Sequence, residues 1–267
     1  MSIIKVVVHG ALGRMGREVI NALCREPETQ VVGAVDLNVP QDQLSLPDGS
    51  TSVPLSADLD SIISGQKPDV LVDFTIAGAT MPAVRIATKS KVNLVIGTTG
   101  LTDTDLEEIE RLVKANGVGA VVAPNFALGA VLMMHLSRIA ARYLDYAEII
   151  ELHHNLKVDS PSGTSRLTAR AMAQARGKPF DRPPVQEKDS VSRGEQVEGI
   201  NIHSTRLPGF MAHQEVILGA PGQTLHIRHD QISREAFMPG VIIAVKEVIK
   251  RKGLIRSLDA LLGLENG

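Results

Sequence analysis

Short apolar runs alternate with longer amphipathic stretches throughout the first half of the chain, and this alternation constrains the fold more than any other feature. The apolar runs are Ile3–Val8, Gln30–Asp36, Val70–Asp73, Asn93–Ile96 and Gly119–Val122, and the amphipathic stretches are Arg14–Arg25, Asp58–Ser64, Ala79–Ser90 and Asp103–Ala115. This order predicts strands buried on both faces of a mostly parallel sheet and joined by helical crossovers. Ligands bind such sheets at the carboxyl ends of the strands, so the residues directly after each run are candidates for a site.

The pattern changes after Asn125, where strands begin to follow one another without helices between them. The predicted elements are helices at Gly129–Tyr143 and Thr164–Arg176, and strands at Ala147–His153, Gly199–Arg206, Ala212–Gly219 and Gln223–His229. Consecutive strands predict a second domain of α+β type with a mixed sheet. A last helix, Ser233–Lys250, is expected to pack back on the first domain, and the polar segment 177–198 is the candidate for a mobile lid.

Composition excludes several classes of function. The 267 residues are 43% hydrophobic and nearly neutral, with 28 basic against 30 acidic side chains, which argues against a nucleic-acid or membrane-surface partner. No stretch approaches the roughly 18 apolar residues that a membrane helix needs. The single cysteine, Cys24, excludes an internal disulfide or a cysteine metal cluster and fits a reducing cytoplasm. Aromatic residues make up only 3%, so base-stacking platforms are not expected.

Three glycines follow the first predicted strand and open the first helix, in the order Gly10-Ala-Leu-Gly13-Arg14-Met15-Gly16. Glycines at this spacing let the backbone turn tightly and approach a pyrophosphate, whose charge meets free amides at the helix N-terminus. The spacing alone is a weak signal, because an ordinary strand-to-helix turn can look the same. With a strand before it, an amphipathic helix after it and an acid at the end of the next strand, it predicts a dinucleotide site.

That acid is Asp36, twenty residues after Gly16. A carboxylate there accepts hydrogen bonds from the ribose 2′-hydroxyl of NAD and repels the 2′-phosphate of NADP. Leu37 and Asn38 bring no cation to bind that phosphate, so we expect NADH to be preferred over NADPH, although Arg14 or Arg17 could partly compensate. The alternative interpretation of Asp36 is a solvated carboxylate at a strand end.

Three further strand ends are expected on the same rim of the sheet. They contain Phe74 and Thr75, then Gly97, Thr98 and Thr99, and finally Pro124, Asn125 and Phe126. Each offers backbone amides or hydroxyl groups, and together they suit an extended dinucleotide more than a lone phosphate, although each alone could be a polar loop. The expected fold class is therefore α/β, with a Rossmann-type sheet domain over residues 1–125 and 233–267 that binds the dinucleotide. Residues 126–232 form the α+β domain with a mixed sheet.

The densest cluster of reactive side chains lies in the second domain and holds His153, His154, Lys157, Gly163 and Thr164. Adjacent histidines on a strand face opposite sides, which suggests different roles. The run Ser162–Ser165 begins a helix, and its amides and hydroxyls form a site of carboxylate size. An imidazole, an ammonium group and a helix N-terminus together suggest a site that holds a carboxylated substrate and donates a proton. The alternatives are solvated surface side chains or a zinc site, and zinc is disfavoured because neighbouring strand histidines do not easily share a metal.

The run Glu151-x-His-His-x-x-Lys-x-Asp-x-Pro-Ser-Gly-Thr164 resembles the signature of the dihydrodipicolinate reductases. The resemblance extends over nearly the whole chain, through Gly10-x-x-Gly-Arg-Met-Gly16, Asp73-Phe-Thr75, Gly97-Thr-Thr-Gly100, Asn125-Phe126 and Arg234-x-x-Phe237-x-x-Gly240. It implies an NAD(P)H-dependent reductase that converts 4-hydroxy-tetrahydrodipicolinate, a small dicarboxylate, into tetrahydrodipicolinate in the diaminopimelate route to lysine. No metal is implied.

The resemblance also implies roles for individual residues. His153 and Lys157 are the expected proton-donating pair, His154 helps to hold the substrate, and Gly163 with Thr164 binds a substrate carboxylate. Arg234 and Phe237 of the last motif join the expected cofactor-binding residues. The family implies a cytoplasmic homotetramer assembled through sheets of the second domain.

Two positions depart from the family pattern. Ile76 stands where an arginine often assists NADPH binding, which again favours NADH, and Ala127 replaces a common serine. Two alternative functions stay open on the sequence alone. One is another nicotinamide-dependent imine or amino-acid dehydrogenase, and the other is a non-catalytic dinucleotide-sensing protein of the same fold.

Overall fold

The computed structural model describes residues 3–47, 49, 51–184 and 192–264. They form two compact units. The first comprises the described residues of Met1–Leu128 and Phe237–Glu265, and the second those of Gly129–Ala236. One unit holds a mostly parallel sheet and the other a mixed sheet, so the predicted α/β fold class is confirmed.

The elements follow in chain order. The strands are β1 (Ile4–His9), β2 (Thr29–Val35), β3 (Gln43–Ser45), β4 (Ser52–Ser56), β5 (Val70–Asp73), β6 (Asn93–Ile96), β7 (Gly119–Val122), β8 (Tyr146–His153), β9 (Glu195–Val197), β10 (Ile200–Arg206), β11 (Ala212–Ala220), β12 (Gln223–Gln231) and β13 (Gly253–Ile255). The helices are α1 (Arg14–Arg25), α2 (Leu59–Gln66), α3 (Ala77–Lys89), α4 (Asp103–Asn116), α5 (Leu128–Ala140), α6 (Gly163–Arg176), α7 (Met238–Val248) and α8 (Leu258–Leu262).

The sheet of the first unit has the strand order β13-β7-β6-β5-β1-β2-β4-β3. Its pairs are parallel except that of β3 with β4. The strands that follow β1 in the chain are first added on its β2 side, as β2, β3 and β4, and then on its other side, beginning with β5. The order therefore reverses between β1 and β5, and the crevice outside the carboxyl ends of these strands is where open α/β sheets bind ligands.

The first sheet is buried on both faces. Every residue of β5 and of β7 is buried, and one core cluster joins β-strand residues such as Val7, Leu71 and Ile96 to Ile109 and Val113 of α4. The continuous apolar runs of the sequence are the local signature of this burial. Helix α4 is bounded by a capping box at Thr102 and by a left-handed Gly117, which explains why its ends agree with the predicted ones.

The second unit contains a five-stranded sheet of order β12-β11-β8-β10-β9. Strands β8 and β10 are parallel, and the other pairs are antiparallel. Ile202, Ile149 and Val216 stand side by side across β10, β8 and β11, and they form one core with Met172 of α6. The apolar core of this unit therefore lies between one face of the sheet and α6.

Several short elements differ from the sequence prediction. Strands β3, β4, β9 and β13 were not predicted. Unlike the four-residue strands β5 and β7, which are buried throughout, they contain no continuous buried apolar run that marks a strand in the sequence. The expected helix Ser233–Lys250 consists of a 3₁₀ turn at Arg234–Phe237 followed by α7, whose first turn contains Pro239. Proline suits the first turn of a helix and not its interior, so α7 starts afresh there. The lid expected at 177–198 includes residues 185–191, which lie outside the described residues.

Candidate active site

The glycine turn follows β1 in the first unit. The amides of Gly10 and Ala11 donate to the Val35 carbonyl at 2.8 and 3.1 Å, which ties the turn to the end of β2. Gly10 has a φ of +80°, and a Cβ on Gly16 would lie 2.0 Å from the Gly10 carbonyl oxygen. Only glycine lets the turn close against α1 in this way. Arg14 and Met15 then open α1, whose N-cap residue supplies no side-chain hydrogen bond and whose first turn carries no acid.

Asp36 follows the end of β2 beside this turn. Its Oδ2 accepts a hydrogen bond of 2.9 Å from the Leu12 amide, and its own amide donates to the Ser56 carbonyl at 3.2 Å. The Asp36 side chain is half-buried, and this hydrogen bond ties it to the glycine turn although Asp36 itself follows a different strand. A negative charge therefore stands where the sequence placed the ribose contact.

Asp73 ends β5 and connects three strand ends. Its side chain is 1% exposed and accepts hydrogen bonds from His9 Nδ1 at 2.9 Å, Thr75 Oγ1 at 2.7 Å and Thr98 Oγ1 at 3.0 Å. Burial raises the pKa of Asp73, but the hydrogen bond and charge of His9 and the hydrogen bonds of Thr75 outweigh it, so the pKa lies below its ordinary value. Thr75 and Thr98 thus serve as packing and hydrogen-bonding groups behind the rim, whereas Thr99 is exposed on it.

The remaining predicted rim residues are held by aromatic packing. The rings of Phe74 and Phe126 lie 5.7 Å apart, and a Cβ on Gly97 would meet the Phe74 ring at 2.1 Å. Phe126 is 1% exposed, so the residue is buried and its side chain supports the loop from within. Asn125 Oδ1 accepts a hydrogen bond from the Ala127 amide at 2.8 Å and shapes the same loop, whose Pro124 is exposed.

The histidine and lysine cluster lies in the second unit. His153 is the last residue of β8 and its side chain is 15% exposed, whereas His154 lies beyond the strand and is exposed. Lys157 Nζ contacts both carboxylate oxygens of Asp159 at 2.7 and 2.8 Å. Gly163 and Thr164 begin α6, and the N-cap Ser162 accepts a hydrogen bond from the Ser165 amide at 3.2 Å.

One buried carboxylate connects these parts. Glu151 is fully buried, and its carboxylate accepts hydrogen bonds from His153 Nδ1, from the Ser162 amide at 3.2 Å and from two nitrogens of Arg206, each at 2.8 Å. Burial raises the pKa of Glu151, but hydrogen bonds from His153, Arg206 and Ser204 outweigh it and hold the pKa at about 2. Glu151 is thus ionised at neutral pH and links the imidazole to the start of α6.

Sequence analysis did not assign roles to three of these residues. Glu151 could have been found, because it lies two residues before His153 on a strand and therefore on the same face. Arg206 could not, because only the pairing of β10 with β8 places it beside His153. His9 likewise meets Asp73 through the pairing of β1 with β5.

The last two predicted cofactor residues bound the 3₁₀ turn Arg234–Phe237, with Arg234 in the second unit and Phe237 in the first. Within the described parts of the chain, no group of three or more histidine, cysteine or acidic residues could hold a metal ion. Nor does any helix of those parts have the length and apolar character needed to span a membrane.

A doubly wound sheet with a glycine turn at its switch point and an acid after the second strand is typical of a dinucleotide-binding protein. Comparison with known proteins identifies its family. Residues 4–126 match the family model described as "Dihydrodipicolinate reductase, N-terminus", and residues 129–262 match that described as "Dihydrodipicolinate reductase, C-terminus". The chain belongs to the dihydrodipicolinate reductase family.

Individual relatives agree with this family. The chain is 57% identical to a 4-hydroxy-tetrahydrodipicolinate reductase of Dehalococcoides mccartyi, over 99% of this chain and 100% of the relative. It is 48% identical to the enzyme of that name from Moorella thermoacetica, over 97% and 98%. A solved structure, dipicolinate-bound dihydrodipicolinate reductase from Paenisporosarcina sp. TG-14, superimposes with a TM-score of 0.86 at 38% identity, over 97% and 99% of the two chains.

Proposed function

We propose that the protein reduces 4-hydroxy-tetrahydrodipicolinate to tetrahydrodipicolinate with NAD(P)H, in the biosynthesis of diaminopimelate and lysine. The observation that carries the proposal is the carboxylate of Glu151, which accepts hydrogen bonds from both His153 and the Ser162 amide. Glu151 therefore holds both the proposed proton donor, His153, and the N-terminus of α6. Full-length relatives named for this reaction support the choice of substrate.

His153 and Lys157 supply the proton that the reaction needs. The nicotinamide, when bound, provides the hydride. The 4-hydroxyl group leaves as water and a ring carbon gains the hydride, so negative charge develops on the conjugated ring nitrogen. A positioned cation both stabilises this charge and donates the proton that balances it. Lys157 faces Asp159 in the structure, and a substrate carboxylate would compete with Asp159 for the same ammonium group.

The start of α6 binds a substrate carboxylate. Gly163 and Thr164 present backbone amides at the first turn of the helix, where free N–H groups and the helix dipole favour an anion. Exposed His154 lies beyond the end of β8 and is proposed to hold the substrate from the other side of His153. The near-neutral chain therefore needs only a few local groups to hold a dianion.

The first unit binds the dinucleotide at the switch point between β1 and β5. The close approach of Gly16 to the Gly10 carbonyl lets the turn fold tightly onto the start of α1, which fits a pyrophosphate bound at that helix N-terminus. Asp36 meets the ribose hydroxyls, and exposed Ile76 offers no charge to a 2′-phosphate. NADH is therefore the proposed preferred cofactor, and the ratio of kcat/KM for NADH and NADPH measures this preference.

We also propose that the protein is a cytoplasmic homotetramer assembled through the sheet of its second unit. Strand β12 lies at one edge of that sheet, and most of its residues are exposed, including Leu225 at 42%. An exposed strand with apolar side chains is a surface that proteins commonly cover.

Loss of reduced-nicotinamide absorbance with freshly prepared substrate tests the function. We expect His153→Gln and Lys157→Ala each to lower kcat by about 100-fold or more, because each removes a proton donor, while the Kd of NADH changes little. Consumption by the unmodified protein of a different imine or amino-acid substrate only would identify another dehydrogenase. NADH binding without any turnover would favour a sensing protein.

A further inference from the structure

A polar layer interrupts the apolar core of the second unit directly under the start of α6. Across β10, β8 and β11 the apolar row of Ile202, Ile149 and Val216 is followed, two positions further along β8, by the row of Ser204, Glu151 and Gln214. Glu151 is fully buried and Gln214 is 5% exposed. A charged side chain in such a place is strongly destabilising unless it is paired, so its presence calls for an explanation.

The partners of Glu151 are parts of the proposed site. His153 lies two residues along the same strand, and Ser162 caps α6. Arg206 pairs with His153 in the strand register, and besides its two contacts with Glu151 it donates to the Asp159 carbonyl at 2.7 Å. The loop that carries Lys157 is thus tied to the same ion pair.

We propose that Glu151 is a positioning residue, held by Arg206, that binds His153 through Nδ1 and so leaves Nε2 as the nitrogen that meets the substrate. This inference rests on the proposed function. An ionised carboxylate carries no proton and only accepts hydrogen bonds, so the proton between the two groups belongs to the imidazole Nδ1. The acceptor therefore fixes the ring orientation and holds the Nδ1 proton, so the proton that the imidazolium form of His153 gives to the substrate is the one on Nε2.

Arg206 makes this arrangement compatible with burial. Its two parallel hydrogen bonds fix the plane of the Glu151 carboxylate and keep it ionised. Without that cation the carboxylate would be a buried, uncompensated charge. A Glu151–Arg206 pair with only a structural role would also join β8 to β10. The test therefore needs measurements that such a role would not change.

The first measurement is the kinetics of Glu151→Gln. The substitution keeps the shape but removes the charge that stabilises the imidazolium form of His153. Its amide group can offer N–H to Nδ1, which favours the neutral ring protonated at Nε2, a much weaker proton donor. We expect kcat to fall by about 100-fold or more while KM and the Kd of NADH change by less than about 3-fold, as for loss of an orienting carboxylate. Unchanged kcat in the folded variant would overturn the proposal.

The second measurement is the ¹⁵N spectrum of the His153 ring, assigned by its disappearance in His153→Gln. In the unmodified protein we expect a protonated Nδ1 hydrogen-bonded to an acceptor, and in Glu151→Gln a shift towards the tautomer protonated at Nε2. The same spectrum in both proteins, together with an equal loss of kcat and of substrate affinity, would show a structural role only.

Glu215→Gln is the matched control. Glu215 on β11 also accepts a hydrogen bond from a histidine Nδ1, that of His226 at 2.7 Å, but on the opposite face of the sheet from Glu151. We expect its kcat to stay within about 2-fold of the unmodified protein, since surface pairs contribute little. An equal loss in both variants would contradict a specific role for Glu151.

Glu151→Asp covers the case in which the glutamine variant does not fold. It keeps the charge that Arg206 needs but draws the carboxylate back by one methylene from His153, and we expect kcat to fall by about 10-fold with a wild-type-like unfolding curve. Full kcat would overturn the proposal. Failure of the proposed function is distinguishable, because it appears as inactivity of the unmodified protein while the His153 spectrum still reports on Glu151.

Discussion

At the scale of single residues, the proposed preference for NADH rests on one carboxylate. Asp36 is anchored by the Leu12 amide, so it does not simply swing away when a more highly charged cofactor approaches. A 2′-phosphate would add up to two negative charges beside it. Repulsion between charges at contact distance is worth about 1–4 kcal/mol in partly solvated sites, which is enough to set a preference.

We predict that Asp36→Ala lowers the ratio of kcat/KM for NADH over NADPH by about 10-fold, because it removes both the ribose acceptor and the repulsion. Steady-state kinetics with the two cofactors measure the ratio. Asp69→Ala is the control: Asp69 Oδ2 also accepts a backbone hydrogen bond, from Lys5 at 2.8 Å, but it lies at the amino end of β5. A clear preference for NADPH in the unmodified protein would contradict the argument from Asp36.

Residue types in the site were largely predictable, whereas their partners were not. The glycines of the turn and the run from His153 to Thr164 carry local meaning, because turns and helix starts depend on neighbouring residues. The side chain of Phe126 illustrates the limit. Its place in a motif suggested a cofactor contact, but the tertiary structure buries the ring against Phe74.

At the scale of elements, Asp73 holds the ends of β1, β5 and β6 in register. His9 supplies a contact from β1 and Thr98 one from β6, and Thr80 of α3 also donates at 3.3 Å. These bonds stand behind the rim where the dinucleotide is proposed to lie. Because the pKa of Asp73 is lowered in the folded protein, its ionised form stabilises the fold above its ordinary pKa of 3.8, and that stabilisation is lost as the pH falls below it.

We predict that Asp73→Asn lowers the free energy of unfolding by about 3–5 kcal/mol at pH 7, as for removal of one partner of a buried pair. The difference from the unmodified protein should shrink as the pH is lowered from 5 to 3, because the Asp73 carboxyl group of the unfolded chain takes up a proton near 3.8 whereas that of the folded protein, with its lowered pKa, does so only at lower pH. Urea unfolding at both pH values measures this. The control is Asp60→Asn on the exposed first turn of α2, which should change the free energy of unfolding by no more than about 0.5 kcal/mol. A pH-independent difference for Asp73→Asn would contradict the link between stability and the ionisation of Asp73.

Elements with a clear local pattern were predictable, including the four-residue buried strands β5, β6 and β7, whereas short elements without one were not. Helix α6 has a serine N-cap and a glycine C-cap, and its predicted and observed ends differ by one residue. Strand β13 has three residues, and it is a strand because β7 lies beside it. A Cβ on Gly119 of β7 would lie 2.5 Å from the Val248 carbonyl, so this close approach of α7 also depends on residues far apart in the chain.

At the scale of the whole molecule, the chain leaves its first unit near residue 128 and returns to it near residue 237. The second unit is thus an insertion with its own core, and it keeps one face of its sheet for α6. Assembly into a homotetramer is proposed through that sheet. Light scattering after size-exclusion chromatography should give four times the mass of one chain. Leu225→Lys should lower this mass, because assembly would bury the added charge in the interface between chains. A monomer for the unmodified protein would contradict the proposal.

The sequence by itself determined the α/β class, the order of the long elements, the glycine turn and the types of side chain in the proposed site. These features follow from patterns within one or two turns of chain, such as apolar periodicity, caps and the spacing of glycines. Tertiary structure alone decided that Arg206 meets Glu151 and that His9 meets Asp73. The physical reason is that strand pairing joins residues 55 and 64 positions apart, and no local pattern encodes which strands become neighbours.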